Sequence, residues 1–331
     1  MNEPAPLVTI FGASGFLGRH IAQRMARRGW RVRAAVRRPN EALFLKPYGE
    51  VGQVEPMQAN IRDDASVARA VAGATVVINC IGIMAQTGPQ TFDAVQAQGA
   101  ARVAKAAAAA GAARLVHVSA LGADAASPSA YARAKAAGEA AVLDAFPTAS
   151  ILRPSVVFGP EDGFFNRFAG MAKLGPVLPI VGGDAKFQPV YVGDVADAAA
   201  KLATGEAAPG LYELGGPEVA TLRELVEKML KVIRRRRLVV DMPSGLAKIP
   251  AKLLGVAQAL TGGLFVNDVL TEDQIALLAS DNVVAEGAKG LADLGVAPTA
   301  MEAVMETYLY AYRPQGQYSK LTESARNLRK A

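Results

Sequence analysis

The chain has 331 residues, 51% of them hydrophobic, with Cys80 as its single cysteine beside two histidines; this suffices for one large α/β domain or a domain with a cap, excludes an internal disulfide framework and argues against a zinc site. A formal charge of +6 suits phosphates, acidic partners or an anionic membrane surface, and no nucleic-acid motif accompanies it. Residues 1–6 carry Glu3 and run straight into an apolar stretch, so no signal peptide is legible, and no unbroken apolar run of about 18 residues marks a membrane span; a protein that is soluble or held peripherally on a membrane is expected.

Residues 7–10 (LVTI) read as a buried strand, and Leu17, Ile21 and Met25 fall on one face of the helix that follows. Between them runs Phe11-Gly12-Ala13-Ser14-Gly15-Phe16-Leu17-Gly18, a glycine turn in the strand-to-helix setting that a dinucleotide fingerprint requires, spaced G-x-x-G-x-x-G. Gly12 permits a tight turn, Gly15 lets a pyrophosphate approach the backbone, and Gly18 lets the helix pack close to the strand. The helix start, from Ser14 and Gly15 through Phe16, Leu17 and Gly18, offers N–H groups and a partial positive charge to phosphates.

Residues 31–36 form a second strand. An NAD-selective site places Asp or Glu at its end to bind the ribose 2′-hydroxyl. Here Arg37-Arg38-Pro39 follow, and paired guanidinium groups suit a 2′-phosphate, with Arg19 close enough to join them. NADPH is the expected cofactor. A third strand at 54–58 leads to Asn60 and Ile61, placed to bond the adenine edge and cover its face, while Asp63 or Asp64 suits capping of the next helix. A fourth, at 74–80, ends in Asn79-Cys80-Ile81-Gly82, whose backbone should approach the cofactor ribose. Cys80 has no activating partner in sight and reads as a packed thiol.

An alanine-rich helix at 92–110, ended by Gly111, leads to a fifth strand at 114–119, a helix at 129–145 and a strand at 150–153. This alternation implies a doubly wound parallel sheet. The helix places Tyr131 and Lys135 on one face. Lys135 is expected to lower the phenol's pKa and bind the nicotinamide ribose, Tyr131 to act as general acid/base in hydride transfer, and Ser119 to help polarise a substrate carbonyl.

After Pro154 the rhythm loosens, with a loop-and-helix insertion at about 159–187. A short strand at 188–192, a helix to 202 and a strand at 211–214 follow; Thr221 and Glu224 make a capping box for a helix at 221–233. The expected division is a nucleotide domain over 1–214, a helical cap and docking region over 215–312, and a basic tail over 313–331. Arg234 to Arg237 read as a solvated helix end or a contact for anionic lipid or an acidic partner. Ile249, Leu253, Val256, Ala257 and Leu260 form an apolar stripe, either packed on the domain or lying at a membrane interface. The tail from Arg313, with Lys320, Arg326, Arg329 and Lys330 against Glu323, would be disordered alone and would order on a partner.

Gly12-x-x-Gly15-x-x-Gly18, Asn79, Tyr131-x-x-x-Lys135 and Leu152-Arg153-Pro154 together resemble the short-chain dehydrogenase/reductase superfamily in its extended or atypical branch. A closer likeness lies in Tyr131 to Glu139, Asp144-Ala-Phe146-Pro147, the string from Arg153 to Ala169, Gln188 to Val192, and Leu291 to Gly295. These segments resemble the nucleotide-binding accessory subunit (39-kDa type) of respiratory complex I. The resemblance implies a Rossmann-type sheet with a smaller, mostly helical C-terminal cap, and an NADPH held tightly without established turnover. By the same likeness Pro154 joins Gly12, Ser14, Gly15, Phe16, Leu17, Gly18, Arg19, Arg37, Arg38, Asn60, Ile61, Cys80, Ile81, Gly82, Ser119, Tyr131 and Lys135 around that cofactor. It also implies docking on the peripheral arm of an NADH:quinone oxidoreductase, beside other complex I subunits near the quinone module and the membrane surface; the single-cysteine, basic chain with no legible signal peptide suits a bacterial member, peripheral on the cytoplasmic face of the inner membrane. One departure bears on activity: catalytic members usually offer a run of Ser or Thr where Ser119 is followed by Ala120-Leu121-Gly122. Tyr131 and Lys135 would then bind ribose and catalyse nothing; the alternative is a free-standing NADP(H)-dependent reductase or epimerase.

Overall fold

The computed structural model describes residues 5–243, 245, 272–278 and 280–318. Its strands are β1 Leu7–Phe11, β2 Arg31–Val36, β3 Val54–Gln58, β4 Val76–Asn79, β5 Arg114–Val118, β6 Ser150–Pro154, β7 Val157–Phe158, β8 Val177–Ile180, β9 Lys186–Phe187, β10 Val190–Tyr191, β11 Leu211–Leu214, β12 Ala220–Thr221 and β13 Leu238–Asp241. The α-helices are α1 Phe16–Arg27, α2 Asp64–Val71, α3 Gln98–Ala109, α4 Ala130–Ala145, α5 Phe165–Leu174, α6 Val192–Thr204, α7 Leu222–Val232, α8 Glu272–Leu278 and α9 Met301–Leu309.

Seven strands form one sheet in the order β11-β6-β5-β4-β1-β2-β3, every neighbouring pair parallel. This is the doubly wound sheet expected from the alternation. Its central strands are continuous apolar runs because both faces are covered; all of Val76–Asn79 is buried. On one face Val8, Ile10, Ile78, Val116 and Leu152 pack against Ile21 and Met25 of α1 and Val195, Ala199 and Leu202 of α6. On the other, Val77, Leu115 and Ile151 meet Val67 of α2, Val103 and Ala107 of α3 and Val142 of α4. Gly138 of α4 permits a close approach to the chain that leads into α3: a Cβ there would stand 2.3 Å from the Gln96 carbonyl oxygen and 3.6 Å from the Ala100 side chain.

A third core joins the insertion to the segments after residue 215. Phe158, Phe165, Leu178 and Phe187 pack there with Leu222, Leu225 and Met229 of α7 and Met305 and Leu309 of α9. The Thr221–Glu224 capping box forms as expected. The capping acid of α2 is Asp63, which accepts from the Ser66 amide at 2.6 Å, while Asp64 pairs with Arg102.

Past α7 the C-terminal region holds a strand as well as helices. Arg234 takes a left-handed backbone with φ of 56°, which ends the helix, and the segment around the β-branched Val239 and Val240 becomes β13, parallel to β8 in the register Leu238↔Val177 to Asp241↔Ile180. Two of the four arginines are tethers rather than solvated charge: Arg235 donates to the Tyr312 carbonyl at 2.8 Å and Arg237 to that of Ala172 at 2.7 Å. Arg313, expected to open the tail, is buried and donates to the Val232 carbonyl at 2.9 Å. The stripe from Ile249 to Leu260 and the tail residues beyond 318 lie outside the described residues. Among the described residues no helix is long and apolar enough to cross a membrane.

Candidate functional site

The glycine turn lies between β1 and β4, at the point where successive strands switch from one side of β1 to the other; a parallel sheet takes its ligands in such a crevice. Gly12 adopts φ of +80°, and the Gly15 amide donates to its carbonyl at 2.9 Å. A Cβ on Gly18 would stand 2.2 Å from that same oxygen, so only glycine lets α1 start so close to the strand. Gly15 is exposed at the helix N-cap, no side chain caps the helix, and its first turn carries no acid. The first-turn amides therefore face outward with the positive end of the helix dipole behind them.

Ser14, Phe16 and Leu17 are half-buried around this turn. Arg19 folds back onto it, donating to the carbonyls of Ser14 at 3.0 Å and Gly15 at 3.3 Å. It also pairs with Glu161 at 3.5 Å and lies 4.7 Å from the Phe44 ring centroid. Arg37 and Arg38 are exposed at the end of β2, and Arg38 pairs with Glu41 at 2.9 Å. Asn60 is exposed and its side-chain oxygen accepts from the Arg62 amide at 3.1 Å. Ile61 is buried, its side chain within 3.3 Å of where a Cβ on Gly99 would stand, so it packs against α3.

Asn79 is buried beneath the next turn. Its amide nitrogen lies 3.2 Å from His117 Nδ1 and its oxygen accepts from the Ile81 amide at 3.2 Å. It thus shapes Cys80-Ile81-Gly82, whose Ile81 side chain comes within 3.1 Å of a Cβ position on Gly12. Burial pushes the Cys80 thiol up to about 12 against the opposing pull of Lys135, in keeping with a packed, unreactive thiol. The sequence-predicted glycine turn and the turn after β4 are therefore brought together.

The chemical end is built by α4. Ser129 is its N-cap, accepting from the Ala132 amide at 3.2 Å. Lys135 is buried, donates to the Val118 carbonyl at 3.2 Å and stands 3.5 Å from a Cβ position on Gly82. Desolvation lowers its pKa to about 8, with Glu139 one helical turn away opposing the fall. The Lys135 ammonium lies 5.9 Å from the Tyr131 ring centroid. The phenol nonetheless moves up to about 12, first through desolvation and then through the Asp273 carboxylate. This corrects the expectation that Lys135 lowers it: burial and a carboxylate outweigh the cation. At neutral pH Tyr131 is a protonated hydrogen-bond donor.

Three further groups complete this end, and sequence reasoning singled out only one. The Gln96 amide, His117 Nε2 and Ser119 Oγ are buried without a partner among the described residues. Gln96 sits in a widened π turn, Asp93–Ala97, that no local pattern announces. Burial holds the His117 imidazole at about 3, so it is neutral; with Nδ1 accepting from Asn79, Nε2 carries the proton. Pro154 is buried at the end of β6, its carbonyl accepting from the Leu121 amide at 3.0 Å. Orphaned polar atoms beside an open helix start and a glycine cradle fit a polar ligand of dinucleotide shape. The turn at Gly12–Gly18 would hold its phosphates and Lys135 its ribose hydroxyls; a nicotinamide group would supply hydride chemistry when bound. Among the described residues no cluster could hold a metal ion.

Residues 8–215 match the family described as NAD dependent epimerase/dehydratase. The chain belongs to that family. It is also 38% identical, over 94% of its length and 79% of the relative's, to NADH dehydrogenase [ubiquinone] 1 alpha subcomplex subunit 9, mitochondrial, of Arabidopsis thaliana, the accessory-subunit group that its sequence resembles. A ceramide reductase of Caulobacter vibrioides is 38% identical over 63% of this chain and 64% of its own. The NADPH-dependent quinone oxidoreductase QOR2 from Escherichia coli, solved with NADPH, superposes with a TM-score of 0.68 at 21% identity, covering 91% of this chain and 98% of that one, which speaks for the fold alone.

Proposed function

We propose that this protein is an NADPH-holding accessory subunit of a proton-pumping NADH:quinone oxidoreductase, in which the nucleotide stabilises the fold and its docking surface rather than turning over. The observation that carries this reading is the reach of the likeness. It runs past residue 215 into the cap and covers 94% of the chain, whereas the likeness to the reductase covers 63%. The exposed Arg37 and Arg38, with no carboxylate directly at the end of β2, support NADPH over NADH. The partners are other subunits of the peripheral arm near the quinone module, on the cytoplasmic face of a bacterial inner membrane, with basic surface available to anionic lipid.

The decisive experiment is purification from native membranes in mild detergent, with identification of co-migrating proteins and bound nucleotide. Co-migration with the oxidoreductase and about one NADPH per chain is expected; a monodisperse soluble protein with no such companions would overturn the reading. The second reading, a free-standing reductase, is favoured by the retained Tyr131 and Lys135 beside unpartnered Ser119. Tyr131→Phe separates the two: oxidoreductase activity of the complex persists under the first, while turnover of a carbonyl substrate vanishes under the second.

A further inference from the structure

One segment from the far end of the chain is fastened across the carboxyl ends of β5 and β6. Asp273 of α8 accepts from three groups at the start of α4: Ser129 Oγ at 2.8 Å, the Ala130 amide at 2.7 Å and the Tyr131 amide at 3.2 Å. A carboxylate there is favoured by the unpaired amides and by the helix dipole. Further along, Asn282 accepts from Ser155 Oγ on its carbonyl at 2.9 Å and on Oδ1 at 2.7 Å, while its own amide donates to the Lys186 carbonyl at 2.7 Å. Ser155 follows β6 directly, and Tyr131 carries the phenol that any reacting group must approach. Both fastenings therefore lie on the ligand side of the sheet.

The two fastenings differ in strength of anchorage. Asn282 is built into the strand network through its bridge to Phe187, a buried member of the cap core. Near its Asp273 end helix α8 buries Ile275 against Val181 and the partly buried Met242 in a small separate cluster, while its last residue, Leu278, on the Asn282 side, packs against the third core. When Asp273 departs, Ser129 still caps α4 through the Ala132 amide. The Asp273 end can thus open without unfolding the helix beneath it, as weakly anchored elements do.

We propose that this segment is a strap closing the nicotinamide end of the dinucleotide site, hinged at Asn282 and pinned at Asp273, so that nucleotide enters and leaves when the pin opens. The inference rests on the nucleotide-holding reading and adds the residue that sets retention. Asp273 acts through α4 and is a positioning residue.

The test uses the full-length chain with Asp273→Ala and Asp273→Asn. NADPH is loaded, and its release into excess NADP+ is followed by nicotinamide fluorescence; hydrogen exchange at the amides of Ala130 and Tyr131 is measured with and without NADPH. Asp273→Ala, which removes all three contacts, should speed release by about tenfold or more, tenfold being the ratio carried by a single lost charge-assisted hydrogen bond, and should remove the exchange protection. Asp273→Asn, which keeps one acceptor, should fall between. Unchanged release in both variants overturns the strap alone. Faster release accompanied by raised exchange throughout the nucleotide-free chain also overturns it, since general destabilisation would then suffice. A wild-type chain that takes up no NADPH overturns the nucleotide reading, and the strap with it.

Discussion

Gly18 and Lys135 mark the two ends of the nucleotide crevice, and each can be tested by a single side chain. The Gly18 methyl position lies 2.2 Å from the Gly12 carbonyl oxygen and 2.8 Å from the Ala13 Cα, all backbone that cannot swing aside. Gly18→Ala should therefore shift α1 off the turn, lower stability by about 1–3 kcal/mol and abolish NADPH binding, as urea unfolding and fluorescence titration would report. Lys135 acts in the opposite sense on stability. Its folded pKa is about 8 against an ordinary 10.5, so the unfolded chain holds more protons between those values and stability rises with pH across that window. Below pH 8 the folded state carries the full penalty of a buried ammonium. Lys135→Met should therefore stabilise the nucleotide-free chain at pH 7 by on the order of 2–3 kcal/mol, and this advantage should shrink towards pH 10.5 while NADPH affinity is lost. A variant less stable than wild type at pH 7 would contradict the desolvation argument. The glycines were legible in sequence because close backbone approach leaves a compositional mark. Gln96 and Asp273 were not: an amide in an alanine-rich helix and an acid in a helical stretch both read as ordinary solvated faces, and only packing reveals what they touch.

Among the elements, those specified by local signals were legible and those specified by distant partners were not. The β1–β6 strands and α7 announce themselves through apolar runs, glycine stops and the Thr221 capping box. The ribbon of β8 and β13 does not, because its partners meet across the whole of α6 and α7 in sequence. A similar distant tie holds the loop after β7 to α9. Asp162, buried, accepts from the amides of Gly159 at 3.1 Å, Phe164 at 3.1 Å and Asn166 at 2.9 Å, and from the Tyr308 hydroxyl at 2.6 Å. Burial and the adjacent carboxylate raise the Tyr308 pKa, which keeps the phenol a donor over the whole accessible range. Tyr308→Phe leaves the carboxylate its three backbone donors and should cost about 1–2 kcal/mol. Asp162→Ala strands those amides in a buried loop and should cost about 3 kcal/mol or more. The ranking, read from denaturant midpoints at equal slopes, tests whether the loop or the helix tie dominates; equal losses would mean that the backbone bonds contribute little.

For the whole molecule, the ties between the sheet and the C-terminal segments decide whether the region matched by the NAD dependent epimerase/dehydratase family is a closed body. Leu291, Leu294 and Val296 belong to the same core as α1 and α6. Lys201 donates to the carbonyls of Leu294 at 3.0 Å and Gly295 at 2.7 Å, and Thr299 donates to Asp194 from its amide at 2.7 Å and its hydroxyl at 2.8 Å. Glu213 at the sheet edge accepts from the Ala285 amide at 2.9 Å and pairs with Arg153 at 3.6 Å, which in turn holds Glu139 of α4. Removing everything after residue 215 would take three apolar side chains from that core, at about 1.5–3 kcal/mol each, and the α7 and α9 side of the third core as well, against a total domain stability of about 5–15 kcal/mol. Such a truncated chain should therefore unfold without a cooperative transition, although it spans the matched region. The intact chain should unfold in one transition by calorimetry. NADPH at about 100 times its dissociation constant should move that single transition by the equivalent of about 2.7 kcal/mol. Two transitions, of which only one responded to nucleotide, would mean that occupancy of the glycine turn does not reach the cap, and that the cofactor could not stabilise a docking surface built there.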